Sequence, residues 1–323
     1  HLNNDKQKIR AAYTWVATNI KYDASHLHRV ILDEDKAEKV TWALERKQGV
    51  CENFSAIFTD ICLKAGLRSY TIEGYTNSDG SIARSGHAWS AVFINDSWYL
   101  FDPTWDAGFL KNGTFVSHAD TKYFLISPQQ FILSHMPFDP LFQFLNYPIT
   151  FNEFSRGYAR SKDQKTYFNY EDSIISYENM QPLARYIAAA QRIEKNGALS
   201  EIISTRLKQL RMEKEIIYQD NDVNLYNDAI EDYKGALQNF RNFLTYRNNQ
   251  FQPQQPIGKT ESMLQVILRQ IDSAYSKLAV VNQSRATLTL NTGEVEKVLT
   301  DLAEKVKDQQ VFLKNYTTTA REN

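Results

Sequence analysis

Gly49-Val50-Cys51-Glu52-Asn53-Phe54-Ser55-Ala56-Ile57-Phe58-Thr59-Asp60-Ile61-Cys62-Leu63-Lys64-Ala65-Gly66 reads as one helix with a cysteine at its mouth. Apolar residues at Phe54, Ile57, Phe58, Ile61, Cys62 and Ala65 follow the 3–4 spacing of a buried helical stripe. Gly66 supplies the stop, and Gly49 is expected to let the backbone turn sharply into the start. Cys51 therefore falls where unpaired N–H groups and the helix dipole favour negative charge, a setting that promotes a thiolate nucleophile. Alone, a cysteine at a helix start is more often a small packed residue.

A second stretch changes that balance. His87–Ile94 and Ser97–Phe101 are strand-like runs joined by Asn95-Asp96, a pair suited to a tight hairpin turn. With those two residues as the loop, Ile94 faces Ser97 and Trp89 faces Asp102. His87 is then diagonal to Asp102 on one sheet face, within side-chain reach. The helix of Cys51 is expected to pack on that face and complete a Cys51–His87–Asp102 set. A thiolate attacks a carbonyl carbon, His87 protonates the leaving amine or ammonia, and Asp102 orients the ring and stabilises its imidazolium. Taken singly, His87 also suits a hydrogen-bonded core histidine and Asp102 a turn-former before Pro103.

These residues resemble the transglutaminase-like superfamily with its papain-like core. The matching pieces are Gly49-Val50-Cys51, Gly86-His87-Ala88-Trp89, and Trp98-Tyr99-Leu100-Phe101-Asp102-Pro103-Thr104-Trp105. Ser134-His135-Met136-Pro137-Phe138-Asp139-Pro140 and Phe142-Gln143-Phe144-Leu145 resemble the continuation in secreted bacterial members. The resemblance covers roughly residues 8–150. It implies an α+β fold in which the cysteine helix packs on an antiparallel sheet, and export to the periplasm, the cell surface or the medium.

The expected activity is acyl transfer on peptide or protein amides through a thioester at Cys51. Water would release it in a protease or deamidase, an amine in a transglutaminase. No sequence feature marks a shielded amine site, so hydrolysis is favoured. The oxyanion donors would be the Cys51 backbone N–H and one side chain. Papain-like enzymes commonly use a glutamine just before the cysteine. Position 45 holds Glu45, which leaves Gln48, Tyr22 and Trp42 as alternatives. Trp89 and Trp105 are candidate walls of the site or substrate contacts. The alternative function is a non-catalytic interaction protein built on a degenerate domain of this type.

The whole chain of 323 residues suits two domains. A net charge of −1 offers no basic field for nucleic acid, and no apolar run reaches membrane-spanning length. The chain opens on His1 rather than Met, which allows for a leader removed upstream. Cys51 and Cys62, eleven residues apart on one helix, lie roughly 16 Å apart along its axis, too far for a disulfide.

Residues 5–22 carry a stripe of Ile9, Ala12, Tyr13, Val16 and Ile20, with Tyr13 and Trp15 expected to pack. Residues 23–35, with His26, His28, Asp33, Glu34 and Asp35, read as a loop whose spacing matches neither zinc nor calcium ligation. No metal or cofactor is expected. Residues 36–47 read as a short helix burying Trp42 and Leu44, and Leu67–Thr76 as a strand ending in a turn at Asn77-Ser78-Asp79-Gly80. Phe109–Phe154 is expected to cap the core, giving a first domain over 1–158. An all-α domain over 159–323 follows, with helical patterns near 170–195, 198–219, 222–250, 258–283 and 292–317. No strict repeat stands out, so a bundle is expected. A protein or envelope partner is a possible role for it.

Overall fold

The computed structural model of the chain describes residues 4–26, 36–78, 80–157, 161–197, 200–284 and 290–322. Its contacts divide into two compact units, His1–Arg211 and Met212–Asn323.

The first unit opens with helix α1 (Asp5–Asn19), whose start is capped by the Asn4 side chain accepting from Gln7 N–H at 2.9 Å. Ile9, Ala12, Tyr13, Val16 and Ile20 are buried, as their spacing predicts, but Trp15 points to the other side and stays exposed. Strand β1 (Lys21–Tyr22) pairs in parallel with β2 (Gln48–Gly49), across α2 (Lys36–Arg46). In α2 the buried side chain is Ala43; Trp42 is half-buried and Leu44 is exposed. From residue 27 onward, the loop read over 23–35 lies outside the described residues.

Helix α3 (Cys51–Lys64) buries Phe54, Ile57, Phe58 and Cys62, while Ala65 lies beyond its end and is exposed. Gly66 has φ +84°, the left-handed geometry of a helix stop. Gly49 serves close approach rather than a sharp turn. A Cβ there would come within 2.6 Å of the Asn53 Cβ, whose Oδ1 accepts from Val50 N–H at 2.9 Å.

The sheet contains β3 (Ser69–Ser78), β4 (Ser81–Ile82), β5 (His87–Ile94) and β6 (Ser97–Phe101). β3 outruns the predicted Thr76, because Asn77 and Ser78 pair with Ile82 and Ser81. The β5–β6 register is the expected one, with Ile94 opposite Ser97 and Ser90 opposite Phe101. Asn95 and Asp96 both adopt positive φ, the conformation that a two-residue hairpin loop requires. A small hairpin of β7 (Gly108–Lys111) and β8 (Thr114–Ser117) follows, then α4 (Pro128–Phe131) and β9 (His135–Pro137), which pairs antiparallel with β3.

The two sheet faces bury different partners. Val92, Ile94 and Phe101 pack against Phe54 and Phe58 of α3, and Thr59 hydrogen-bonds Ser90 at 3.1 Å. Ile72, Trp89, Ala91, Trp98 and Leu100 face the other way, under Phe131, Leu141, Phe144 and Ile174. His87, two residues before Trp89 on β5, shares its face, so α3 packs on the face opposite to His87, contrary to expectation. Strand periodicity sorts residues into two faces but does not say which partner covers each.

Helices α5 (Phe151–Ser155), α6 (Tyr170–Asn179), α7 (Pro182–Lys195) and the first turns of α8 (Glu201–Asn248) belong with the first unit. Ile193, Ile203, Leu207 and Leu210 share a core with Tyr75, Met136, Phe138, Phe151 and Phe154. Arg192 forks onto Asp139 at 2.7 and 2.6 Å. The division of contacts therefore falls later than the 158/159 boundary drawn from composition, and residues 158–160 lie outside the described ones. The pattern read over 170–195 breaks before Pro182, and those read as 198–219 and 222–250 form one helix, having no glycine or proline between them.

In the second unit α8 continues, with α9 (Ile257–Gln283) and α10 (Thr292–Glu322). Its core is made by Phe240 and Phe243, by Leu264, Ile267, Ile271 and Leu278, and by Leu299, Leu302 and Val306. The alternating steps of three and four along α9 are those of knobs-into-holes packing. No helix among the described residues is long and apolar enough to cross a membrane.

Gly74 tests the sheet. It sits between β5 and β9, where a Cβ would lie 2.1 Å from the Met136 carbonyl oxygen and 2.4 Å from the Trp89 ring. Gly74→Ala is expected to cost about 1–3 kcal/mol, seen as a lower urea midpoint at unchanged m-value.

Candidate active site

Asp102 directly follows β6, with its side chain fully buried. Its Oδ1 accepts from the backbone N–H groups of Thr104 at 2.9 Å and Trp105 at 3.1 Å, so the Asp-Pro-Thr-Trp turn itself binds one oxygen. Oδ2 lies 2.7 Å from His87 Nε2 and 3.2 Å from His135 Nε2. Burial alone would raise this carboxyl. The His87 charge and the hydrogen bonds from His135 and His87 outweigh it and hold the group well below the usual carboxylate range.

His87 starts β5, with its side chain 11% exposed. Burial opposes its charged form, but the charge and hydrogen bond of Asp102, with a smaller contribution from Cys51, raise it well above an ordinary histidine. Cys51, the first residue of α3, is half-buried and close enough to His87 to favour the ring's charged form. Asp102 engages Nε2, so Nδ1 is the ring atom left for the sulfur. Cys62 is also a free thiol, but burial pushes it up to about 12 and leaves it inert.

His135, not singled out as a site residue by sequence reasoning, completes the cluster. It is fully buried on β9, opposite Thr76, with the Phe131 ring stacked 4.0 Å away. Burial is the main reason it is held down to about 4, which keeps it neutral at physiological pH. Its Nδ1 lies 2.8 Å from the Ser134 hydroxyl. A neutral ring facing a carboxylate must present Nε2–H, and Ser134 then donates to Nδ1. The available signal was Ser134-His135-Met136-Pro137 itself. The ligand-type atoms of His87, Asp102 and His135 all lie within 4.8 Å of one another, and each is hydrogen-bonded within the cluster.

The remaining candidates separate. Trp105 is half-buried, its ring 5.5 Å from His87 and 4.6 Å from His135, so it flanks the imidazoles. Trp89 is only 1% exposed and packs beneath the site against Phe131 and His135, out of reach of a substrate. Gln48 is exposed on β2. Tyr22 pairs with Gly49 and is raised by burial and by the nearby charges of Cys51, Asp102 and Asp23, so its phenol keeps its proton as a donor. Beneath Asp102, the Tyr13 hydroxyl reaches the Asp102 carbonyl oxygen at 2.8 Å and Asp106 Oδ2 at 2.5 Å.

Helix α3, opened by Cys51, packs on an antiparallel sheet whose β5–β6 hairpin brings His87 to Asp102, an α+β domain of the papain-like kind. Residues 1–103, which include Cys51, His87 and Asp102, match the sequence model of the transglutaminase-like superfamily, so this part of the chain is a transglutaminase-like domain. Mouse kyphoscoliosis peptidase is 29% identical over 163 residues, which are 48% of this chain and 24% of that protein. Drosophila melanogaster hillarin is 28% identical over 171 residues, 46% of this chain and 20% of that protein. The chain thus spans about a quarter of the length of the curated relatives it matches. A crystal structure of a transglutaminase aligns over 40% of this chain and 32% of its own, at 21% identity and a TM-score of 0.26.

The neutral His135 sets a pH dependence. The unfolded chain takes up a proton on this ring below about pH 6.5, whereas the folded chain refuses it until about pH 4. Its contribution to stability is therefore full above 6.5 and lost as pH falls towards 4. His87, raised instead, contributes fully below about 6.5 and loses its contribution as pH rises through its folded value. Urea unfolding at pH 7.0 and pH 4.5 is expected to show a larger acid loss in the native protein than in His135→Phe. Equal losses would mean that His135 is protonated in the fold.

Proposed function

We propose that the transglutaminase-like domain is a cysteine-dependent acyl-transfer enzyme acting on peptide or protein amides. The observation that supports this reading is the His87 ring 2.7 Å from the buried Asp102 carboxylate, with Cys51 near enough to favour the ring's charged form. An imidazolium at His87 is the partner a thiolate needs, and burial of Asp102 keeps that charge pair unscreened.

In the proposed reaction the Cys51 sulfur attacks the amide carbonyl carbon. The negative charge formed on oxygen is met by the Cys51 backbone N–H, which has no intrahelical acceptor, and by the Tyr22 hydroxyl. Tyr22 replaces Gln48 in this role because it lies beside Cys51 and retains its proton. The carbon–nitrogen bond breaks as His87 Nδ1–H passes its proton to the leaving amine or ammonia, and a thioester remains. Water or a primary amine then attacks the thioester and gives its proton to His87. The carbon–sulfur bond breaks and the thiolate is restored. Trp105 forms a wall for the acyl group.

Hydrolysis is favoured over transfer to an amine. The mouse relative is called a peptidase, and Cys51 is only half-buried, which leaves water a route to the thioester. Mass spectrometry of a peptide library incubated with the protein and a primary amine separates cleavage, deamidation and cross-linking in one experiment. Cys51→Ala is expected to abolish every product while leaving the melting temperature nearly unchanged; surviving turnover would end the nucleophile assignment. Asp102→Asn is expected to lower kcat by roughly a hundredfold or more with a smaller effect on KM. Tyr22→Phe is expected to lower kcat by about ten- to a hundredfold, and an unchanged kcat would return the oxyanion role to another donor.

A further inference from the structure

We propose that His135 is a positioning residue of this site: its Nε2–H donates to the same Asp102 oxygen that His87 uses, fixing the carboxylate's direction and dividing its charge between two imidazoles. The inference rests on the reading of Cys51, His87 and Asp102 given above and adds a fourth side chain to it.

Three observations carry it. First, Asp102 Oδ2 has two imidazole nitrogens within hydrogen-bond distance, at 2.7 and 3.2 Å, while Oδ1 is held by two backbone N–H groups. Rotation of the carboxylate would break contacts at both oxygens. Second, His135 cannot turn away. Phe131 stacks on its ring, Trp105 and Trp89 lie 4.6 and 5.2 Å from it, and Ser134 occupies Nδ1. Third, β9 is the strand that delivers it. Thr76 pairs with His135 and Gly74 with Pro137, while Gly74 also pairs with His87 across β3. One strand thereby fixes the spacing of both histidines.

The consequence follows from the shared oxygen. A hydrogen bond from a second donor spreads the charge on Oδ2 and weakens its attraction for the His87 proton. His87 must hold that proton while paired with the thiolate, yet release it to the leaving group. Without His135, Asp102 would hold His87 too tightly in its charged form, and Oδ2 would be fixed by His87 alone.

Alkylation of Cys51 by iodoacetamide across pH, read by peptide mass spectrometry with the Cys62 peptide as internal reference, tests this without a substrate. The native protein is expected to alkylate Cys51 well ahead of Cys62 at neutral pH, and to show a rise in Cys51 reactivity on the alkaline side, where His87 loses its proton. His135→Phe keeps the ring's shape but removes the donor. It should move the alkaline step upward by about one pH unit. With an assay substrate it should lower kcat about ten- to a hundredfold at little change in KM. His135→Gln, which places an amide N–H near the Nε2 position, should keep the native profile. Ser134→Ala should move the alkaline step in the same direction by less.

Cys51 from α3, Tyr22 from β1, Tyr13 from α1, and Asp106 and Tyr123 from the segments after β6 and β8 are the other titratable groups facing the cluster. They are common to native protein and variants, so the difference between profiles isolates the His135 contact. A native alkaline step superimposable on that of His135→Phe would overturn the inference and leave the acyl-transfer reading intact. Native Cys51 alkylated no faster than Cys62 at neutral pH would overturn both. Should His135→Phe fail to fold, an unshifted profile in Ser134→Ala overturns the inference.

Discussion

A carboxylate stripped of water is the constraint on which the first unit depends. An unpaired charge buried as deeply as Asp102 would cost several kcal/mol, and breaking such a site by removing one partner costs about 3–5 kcal/mol. Four donors offset that cost here: His87, His135 and the N–H groups of Thr104 and Trp105. Two of them come with the turn after β6. The other two come from β5 and β9, strands that meet only through β3. The charge is therefore satisfied only when the non-local part of the sheet has formed. Folding and assembly of the site are one event.

A second layer holds the turn itself. The Tyr13 hydroxyl links the Asp102 carbonyl oxygen to the Asp106 carboxyl, and the Tyr123 N–H reaches the same Asp106 oxygen at 2.8 Å. Burial raises the Asp106 carboxyl, although the hydrogen bonds from Tyr13 and Tyr123 oppose that rise. Helix α1 thus does more than bury an apolar stripe, since its one buried hydroxyl fixes the backbone of the Asp-Pro-Thr-Trp turn. The Tyr13 ring meanwhile packs against Phe58, Phe101 and Phe124, joining α1, α3 and β6 in one core.

What could be read from the sequence was what local chemistry determines. Asn95-Asp96 specified the loop, the loop specified the register, and the register put His87 diagonal to Asp102, all within sixteen residues. The buried stripe of α3 and the terminal position of Cys51 were legible for the same reason. Three features were not. Which face of the sheet α3 covers depends on the burial of Ser90, Val92 and Phe101 against it, and strand alternation is symmetric in that respect. His135 was in plain view within Ser134-His135-Met136-Pro137, but its role comes from the pairing of β9 with β3 across about sixty residues of chain. The later division of the chain, after Arg211, escaped composition because α7 and the start of α8 have ordinary amphipathic helical sequences. What attaches them to the first unit is the particular set of apolar residues facing Tyr75, Met136 and Phe138.

The arrangement of α3 on the far face accompanies a gradient along the proposed catalytic set. Cys51 opens α3, and the helix covers the other face of the sheet from His87 and Trp89. Cys51 is half-buried, the His87 side chain 11% exposed and the Asp102 side chain fully buried. Exposure thus falls from Cys51 to Asp102, and water is kept from the carboxylate. In the low-dielectric interior the Asp102 charge acts on His87 almost unscreened, so the pair's strength is set by the fold and not by the salt of the surroundings.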